Sequence, residues 1–246
     1  MSTIQVQDEQ GVRIITINRP EKRNALSLDM YTSLTEYLIQ GESDSAIHAF
    51  LIKGQPDCFT SGNDVADFLK NSNLDAKHPA FRFLFSLLEL KKPLVAAVTG
   101  AAVGIGTTML LHCDLVYAAP SAKFQLPFVN LALVPEAGAS LLLPQLVGPQ
   151  KAAELLLLGE DFDANAANSF NIVNEVVAAN ELFDYALSRA IKLAQQPPQA
   201  LQATRELLRP HKDEVRKQME RELGQFSIRL QSDEAKSRFK AFLNRE

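Results

Sequence analysis

Up to about Ala118 the chain alternates short β-branched runs with segments of helical period, and from about Asn180 it carries helical periodicity alone. Strands separated by helices cannot pair as tight hairpins. They line up parallel, with the helices laid on the sheet faces, so an α/β layered body is expected. Ile4–Gln7 and Val12–Asn18 read as a strand pair around Gly11, and Ser27 as the cap of a helix reaching to about Gln40. Phe50-Leu-Ile52, Leu94–Val98 and Leu115–Ala118 are short buried strands, while Phe81, Leu84, Phe85 and Leu88 fall at helical spacing. Cys58–Asp64 reads as a loop into a short helix, and Thr99–Gly106 as a glycine-bearing turn into a helix ending near His112. Beyond Asn180, Leu182–Leu193, Pro198–Leu208, Asp213–Leu230 and Asp233–Leu243 are helices, the last capped by Ser232. A helical end of this kind packs over the α/β body or against another subunit.

Composition removes several classes of function. With 246 residues there is ample length for a real core. A net charge of −4 gives no electrostatic reason to expect nucleic acid or an anionic membrane as partner. Cys58 and Cys113 make no disulfide framework, which fits a reducing compartment. The start lacks a basic region followed by an apolar stretch, no apolar run is long enough to span a bilayer, and the end is not a Ser-Lys-Leu peroxisomal address. The expectation is a soluble, cytoplasmic protein. His48, His78, His112 and His211 show no metal-ligand spacing, so no metal is expected. His112 and Cys113 are neighbours at a helix end, which does not make a nucleophile–base pair, and Cys113 reads as core.

Chemistry is suggested by two glycine turns and one carboxylate. In Phe59-Thr-Ser-Gly-Asn-Asp-Val65, Gly62 permits a tight turn whose next N–H, on Asn63, can point into open space, and Asp64 can cap the helix that follows. In Thr99-Gly-Ala-Ala-Val-Gly-Ile-Gly-Thr107, Gly104 and Gly106 flank Ile105 where a helix begins, so free N–H groups there favour an anionic oxygen. Two such N–H groups from separate loops make an oxyanion hole. The order G-x-x-x-G-x-G reverses the dinucleotide fingerprint, and no Gly-Lys-Ser/Thr follows, so nucleotide binding is set aside. Glu136 lies in the apolar run Leu131–Ser140, where loss of water raises a carboxyl pKa and suits a group that must take and return a proton. The competing reading makes it an early helix residue, welcomed by the helix dipole.

In order and spacing, Arg19-Pro-Glu-Lys-Arg-Asn-Ala-Leu26, Phe59–Asp64, Val98–Gly106, Cys113–Ala118 and Val134-Pro-Glu-Ala-Gly138 resemble the enoyl-CoA hydratase/isomerase (crotonase) superfamily over nearly the whole chain. Among its members the chain looks most like the monofunctional Δ3,Δ2-enoyl-CoA isomerases, whose turns also read Ser-Gly-Asn-Asp and Ala-Val-Gly-Ile. The resemblance implies an α/β spiral of ββα units, here residues 1–195 with the acyl-CoA site, and an all-helical C-terminal region, 196–246, that builds a homotrimer or a dimer of trimers. It places the oxyanion hole on the N–H groups of Asn63 and Ile105, which commits their backbones but not their side chains. It also implies substrate contacts from Ala25, Ser61, Gly62, Gly104 and Phe128. Lys22 and Arg23 match a loop that meets CoA phosphates, although a solvated basic turn explains them equally well. Phe242 and Arg245 match an aromatic and a basic position that reach toward CoA. Where the hydratases carry their two acids this chain has Thr108 and Phe128, while Glu136 occupies the isomerases' sole-base position. The implied activity is conversion of 3-enoyl-CoA to 2-enoyl-CoA, with the substrate carried as a coenzyme A thioester and no separate cofactor. A weak hydratase and a catalytically poor acyl-CoA-binding protein are the alternatives.

Overall fold

The computed structural model describes residues 2–70, 75 and 77–243, with the side chains of 68–70 and 242–243 left outside the description. The chain begins with an antiparallel pair, β1 (Ile4–Glu9) and β2 (Val12–Ile17), followed by α1 (Leu28–Ser43). Ser27 opens that helix, its Oγ accepting from the Met30 N–H at 3.4 Å. Met30, Tyr31, Leu34 and Leu38 form its buried face. Then follow β3 (Ala49–Lys53), β4 (Cys58–Thr60), α2 (Val65–Lys70), α3 (Pro79–Glu89), β5 (Leu94–Val98), β6 (Ala101–Val103) and α4 (Ile105–Thr108). The helix α4 runs into a 3-10 turn, Met109–His112, before β7 (Leu115–Ala118) and β8 (Lys123–Gln125).

From β3 to β8 consecutive strands go to different sheets, and this produces the spiral. The larger sheet takes β3, β5 and β7 side by side in parallel, beyond the β1–β2 pair, while the smaller takes β4, β6 and β8, also in parallel. After β8 come α5 (Ala139–Val147), α6 (Pro149–Leu158), β9 (Asp161–Asp163), α7 (Ala164–Ser169) and β10 (Glu175–Val176). The strand β9 closes one edge of the smaller sheet antiparallel to β8, and β10 extends the larger sheet beside β7. The parallel α/β body and the ββα spiral agree with the sequence expectation. The segments expected as plain loop and turn contain β4 and β6, strands of three residues, too short to show an alternating pattern.

The chain ends in α8 (Leu182–Ala194), α9 (Pro198–Leu208), α10 (Lys212–Leu230) and α11 (Asp233–Leu243). One face of the larger sheet, through Val12, Leu51, Val95 and Ala97, is covered by Leu182, Ala186 and Ala190 of α8. The opposite side is the main core, which Val215, Met219, Phe226 and Leu230 of α10 and Phe239 of α11 join directly. Arg205 of α9 and Arg209 at its C-cap both reach Asp114, at 2.8 and 3.0 Å, fastening the last helices to the start of β7. Among the described residues no helix is long and apolar enough to cross a membrane.

Candidate active site

Neighbouring parallel strands end at the same edge of a sheet, so the loops that follow them stand side by side. The strands β4, β6 and β8 are such neighbours, and their three loops line one cavity of about 390 Å³. Ser61, Gly62 and Asn63 come from the first loop, Gly104 from the second together with Val103 at the end of β6, and Pro127 and Phe128 from the third. Phe226 of α10 and Phe239 of α11 close the wall from the C-terminal region.

Each glycine turn has a local physical cause. Gly62 has φ +97°, and a Cβ there would stand 3.0 Å from the Val103 carbonyl oxygen, so glycine lets the two loops touch. Gly104 has φ +56° with open space where a Cβ would point, so its backbone conformation is what requires glycine. The Gly104 N–H donates to the Gln125 carbonyl at 2.9 Å, and the Gly104 carbonyl accepts from Thr107 and Thr108, both at 2.9 Å. The next residue, Ile105, is the first of α4, and among the described residues no acceptor takes its N–H or that of Asn63. The side chain of Asn63 is committed too, contrary to expectation: the Tyr31 hydroxyl donates to its Oδ1. Asp64 performs the expected capping, its Oδ1 accepting from Ala66 and Asp67, while Oδ2 meets Arg19 at 2.8 Å.

The basic loop is held beside the first turn. Asn24 is fully buried, its Nδ2 donating to the carbonyls of Cys58 and Phe59 at 2.8 and 3.1 Å. The Asn24 carbonyl accepts from Thr60 Oγ1 at 2.7 Å, and the same hydroxyl accepts from the Gly62 N–H at 3.1 Å. Ser61 N–H donates to the Arg23 carbonyl at 3.1 Å. Lys22 and Arg23 are exposed and Ala25 half-buried, next to the cavity rather than in its wall. Phe242 belongs to α11, but its side chain lies outside the described residues, as does Arg245.

Glu136 is 2% exposed and precedes α5 rather than belonging to it, so the early-helix reading fails. It does not line the cavity; its charge is felt by the Tyr31 phenol, which bonds Asn63 of the cavity wall, and Thr108 of α4 stands close to it. Burial pushes its pKa up to about 8, the charge of Glu222 adds to that, and the Thr108 hydroxyl opposes it. Neither Thr108 Oγ1 nor Glu136 Oε1 is in hydrogen-bonding geometry with a partner, so Thr108 adjoins the carboxyl without bonding it. Phe128, at the other position where the hydratases carry an acid, is 5% exposed. His112 bonds the Ala137 carbonyl through Nε2 at 2.7 Å, and burial depresses its pKa to about 4, leaving a neutral ring that donates. Cys113 packs against the core and its thiol donates to the Met109 carbonyl at 3.7 Å. Sequence reasoning assigned no role to Tyr31, Asn24 or Glu222. For Glu222 a signal existed: it interrupts the otherwise apolar stripe Val215, Met219, Phe226, Leu230 of α10.

Comparison with known proteins identifies the family. The family model described as enoyl-CoA hydratase/isomerase matches residues 7–246. Enoyl-CoA delta isomerase 3, peroxisomal, of Mus musculus is 32% identical over 214 residues, 85% of this chain and 67% of that protein. The 2,3-dehydroadipyl-CoA hydratase of Escherichia coli is 34% identical over 210 residues, 85% of this chain and 82% of that one. Among solved structures, OdaA of Pseudomonas aeruginosa superposes with a TM-score of 0.96 at 40% identity, covering 99% of each chain. Ordered glycine turns, spiral topology and full-length similarity converge on one conclusion: the chain belongs to the enoyl-CoA hydratase/isomerase family, with the crotonase fold.

Proposed function

We propose that the protein is an isomerase that converts 3-enoyl-CoA to 2-enoyl-CoA with Glu136 as the single proton shuttle. The observation that carries this reading is a buried carboxyl, Glu136, with its pKa raised to about 8, together with Thr108 and Phe128 where a hydratase needs acids. Glu136 takes the proton from C2, and the electron pair of that C–H bond moves into a dienolate whose thioester oxygen becomes negative. The N–H groups of Asn63 and Ile105 receive that oxygen. Glu136 then returns its proton to C4 as the dienolate collapses, so no atom or electron is gained or lost. A pKa near neutrality serves both transfers. Phe128 keeps the cavity apolar and offers nothing to activate water. The acyl chain lies against Phe128, Phe226 and Phe239, while Lys22, Arg23 and Ala25 meet the CoA end outside.

A hydratase reading has one observation to lean on, a second buried carboxylate, Glu222, whose charge reaches Glu136. Both of its oxygens are already occupied: Oε2 accepts from the Gly138 N–H, and Oε1 from the Ser140 N–H and hydroxyl, which leaves little to activate water. Assembly as a homotrimer or a dimer of trimers is part of the proposal. Leu207, Leu208 and Ile228 are 81%, 77% and 63% exposed on the last helices, which is apolar area that a partner subunit would cover. Sedimentation as a stable monomer at micromolar concentration would remove this part.

The decisive assay supplies 3-enoyl-CoA and 2-enoyl-CoA separately and follows conjugation and product mass. Conversion of the first at unchanged mass, with slow or no water addition to the second, is the expected result. Rapid hydration of 2-enoyl-CoA without isomerisation of 3-enoyl-CoA overturns the proposal.

A further inference from the structure

Immediately after Glu136 the backbone takes two left-handed steps, Ala137 at φ +63° and Gly138 at φ +72°. That conformation is uncommon for a residue with a Cβ, and it persists only where surrounding contacts over-determine it. Two contacts do so. His112 Nε2 donates to the Ala137 carbonyl at 2.7 Å, and the Gly138 N–H donates to Glu222 Oε2 at 2.6 Å. Glu222 Oε1 also accepts from the Ser140 N–H at 3.0 Å and from the Ser140 hydroxyl at 2.5 Å. Gln218 Nε2 donates to Ser140 Oγ at 2.8 Å, which turns that hydroxyl's proton toward Glu222.

Glu222 reaches this turn from α10, where its neighbours along the same stripe are apolar and buried. Burial holds its pKa above the ordinary carboxylate value, and its bonds to Ser140 and Gly138 oppose that shift only in part. Donors on both oxygens suit a carboxylate rather than a carboxylic acid. An ordinary helix cap would come from a side chain at Gly138, the N-cap position of α5, which has none. The groups facing Glu136 are the Tyr31 phenol of α1, the Thr108 hydroxyl of α4 and Glu222, with the neutral His112 on the adjoining carbonyl.

Resting on the single-shuttle reading above, we infer that Glu222 is a positioning residue for proton transfer: it clamps the turn that aims Glu136 and keeps a negative charge beside it, so that Glu136 holds its proton between the two transfers. The C-terminal helices thereby take part in the chemistry through Glu136.

The test uses the full chain with Glu222→Gln, which keeps an amide oxygen as acceptor but removes the charge. The Glu136 carboxyl is followed by ¹³C NMR on glutamate-labelled protein, assigned by the signal lost in Glu136→Gln. Its titration midpoint is expected to fall below that of the unaltered protein, and the acid limb of kcat to move down with it while KM changes little. An unmoved midpoint with unchanged kcat makes Glu222 a helix cap only and overturns the inference. Glu222→Asp covers a Glu222→Gln that does not fold. It keeps the charge but shortens the reach, and kcat should drop roughly tenfold with KM retained, as for a misaimed catalytic group; unchanged kcat there also overturns it. The NMR arm needs no turnover, so a protein that fails to isomerise 3-enoyl-CoA defeats the functional reading while the coupling between the carboxyls is still decided.

Discussion

The two halves of the candidate site are built by opposite means. The oxyanion half consists of backbone N–H groups at the ends of β4 and β6, placed by the register of a parallel sheet and by two glycines at positive φ. The proposed base half is one side chain, Glu136, on an irregular segment whose next two residues, Ala137 and Gly138, bond His112 and Glu222 from distant parts of the chain. Sheet register is stabilised by many bonds at once and tolerates the loss of one. A buried carboxyl on a turn fastened by two side chains tolerates little, and its ionisation depends on whatever charge stands nearby. The Asn63 side chain crosses this division, since its tie to Tyr31 connects the oxyanion loop to a phenol that feels the charge of Glu136.

The comparison can be broken most directly at Glu136. Glu136→Gln should preserve acyl-CoA binding and lower turnover by roughly 10²–10⁴-fold, the usual loss on removing a general base. Near-normal turnover in steady-state assays would leave the base half without a function.

Acidity offers the next largest effect. A base must be ionised to take the C2 proton, and with a pKa of about 8 Glu136 is increasingly protonated below that value. For the free enzyme kcat/KM should therefore fall about tenfold per pH unit below the midpoint. Stability has its own sign. Because the folded pKa lies above the ordinary 4.5, the folded state binds the extra proton between pH 4.5 and about 8, and stability falls as pH rises through that window. Denaturant midpoints should show this slope in the unaltered protein and a flatter one in Glu136→Gln; equal slopes would mean that Glu136 is not desolvated.

Gly104→Val challenges the oxyanion half. A β-branched residue at φ +56° is strained by about 1–3 kcal/mol, and relief of that strain turns the Ile105 N–H. Turnover should fall by roughly 10²-fold with only modest change in KM, the scale of losing one oxyanion donor. Turnover within a factor of two, in a protein of normal thermal stability, would show that this N–H is not used.

Tyr31→Phe should have the smallest effect. It removes the phenol that holds Asn63 Oδ1, costing about 1 kcal/mol in denaturation and a few-fold in turnover. A loss as large as that of Glu136→Gln would place Tyr31 in the proton path and erase the division between the halves.

The backbone-built half was the legible one. Glycine at Gly62 and Gly104, followed by Asn63 and by the Ile105 that opens α4, has a local cause in φ and helix ends, and local causes can be read along the chain. The longer strands and all four C-terminal helices were legible for the same reason, through burial period and caps such as Ser27 and Ser232. The three-residue strands β4 and β6 were not, because their existence depends on pairing with each other. The raised pKa expected at Glu136 came from its apolar neighbours in sequence, and burial is indeed the larger cause.

By itself, then, the sequence pointed to a parallel α/β body with a helical end, to two glycine turns with free N–H groups and to a desolvated carboxyl at Glu136, since each follows from period, backbone freedom or local polarity; the ββα spiral and the single-base role came from the family resemblance. Tertiary structure alone decided that β4, β6 and β8 share one edge, that Tyr31 holds Asn63, and that Glu222 reaches the turn after Glu136 across a separation of 84 residues. Contacts between residues so far apart leave no periodic trace. They exist only once the core has closed and brought their elements together.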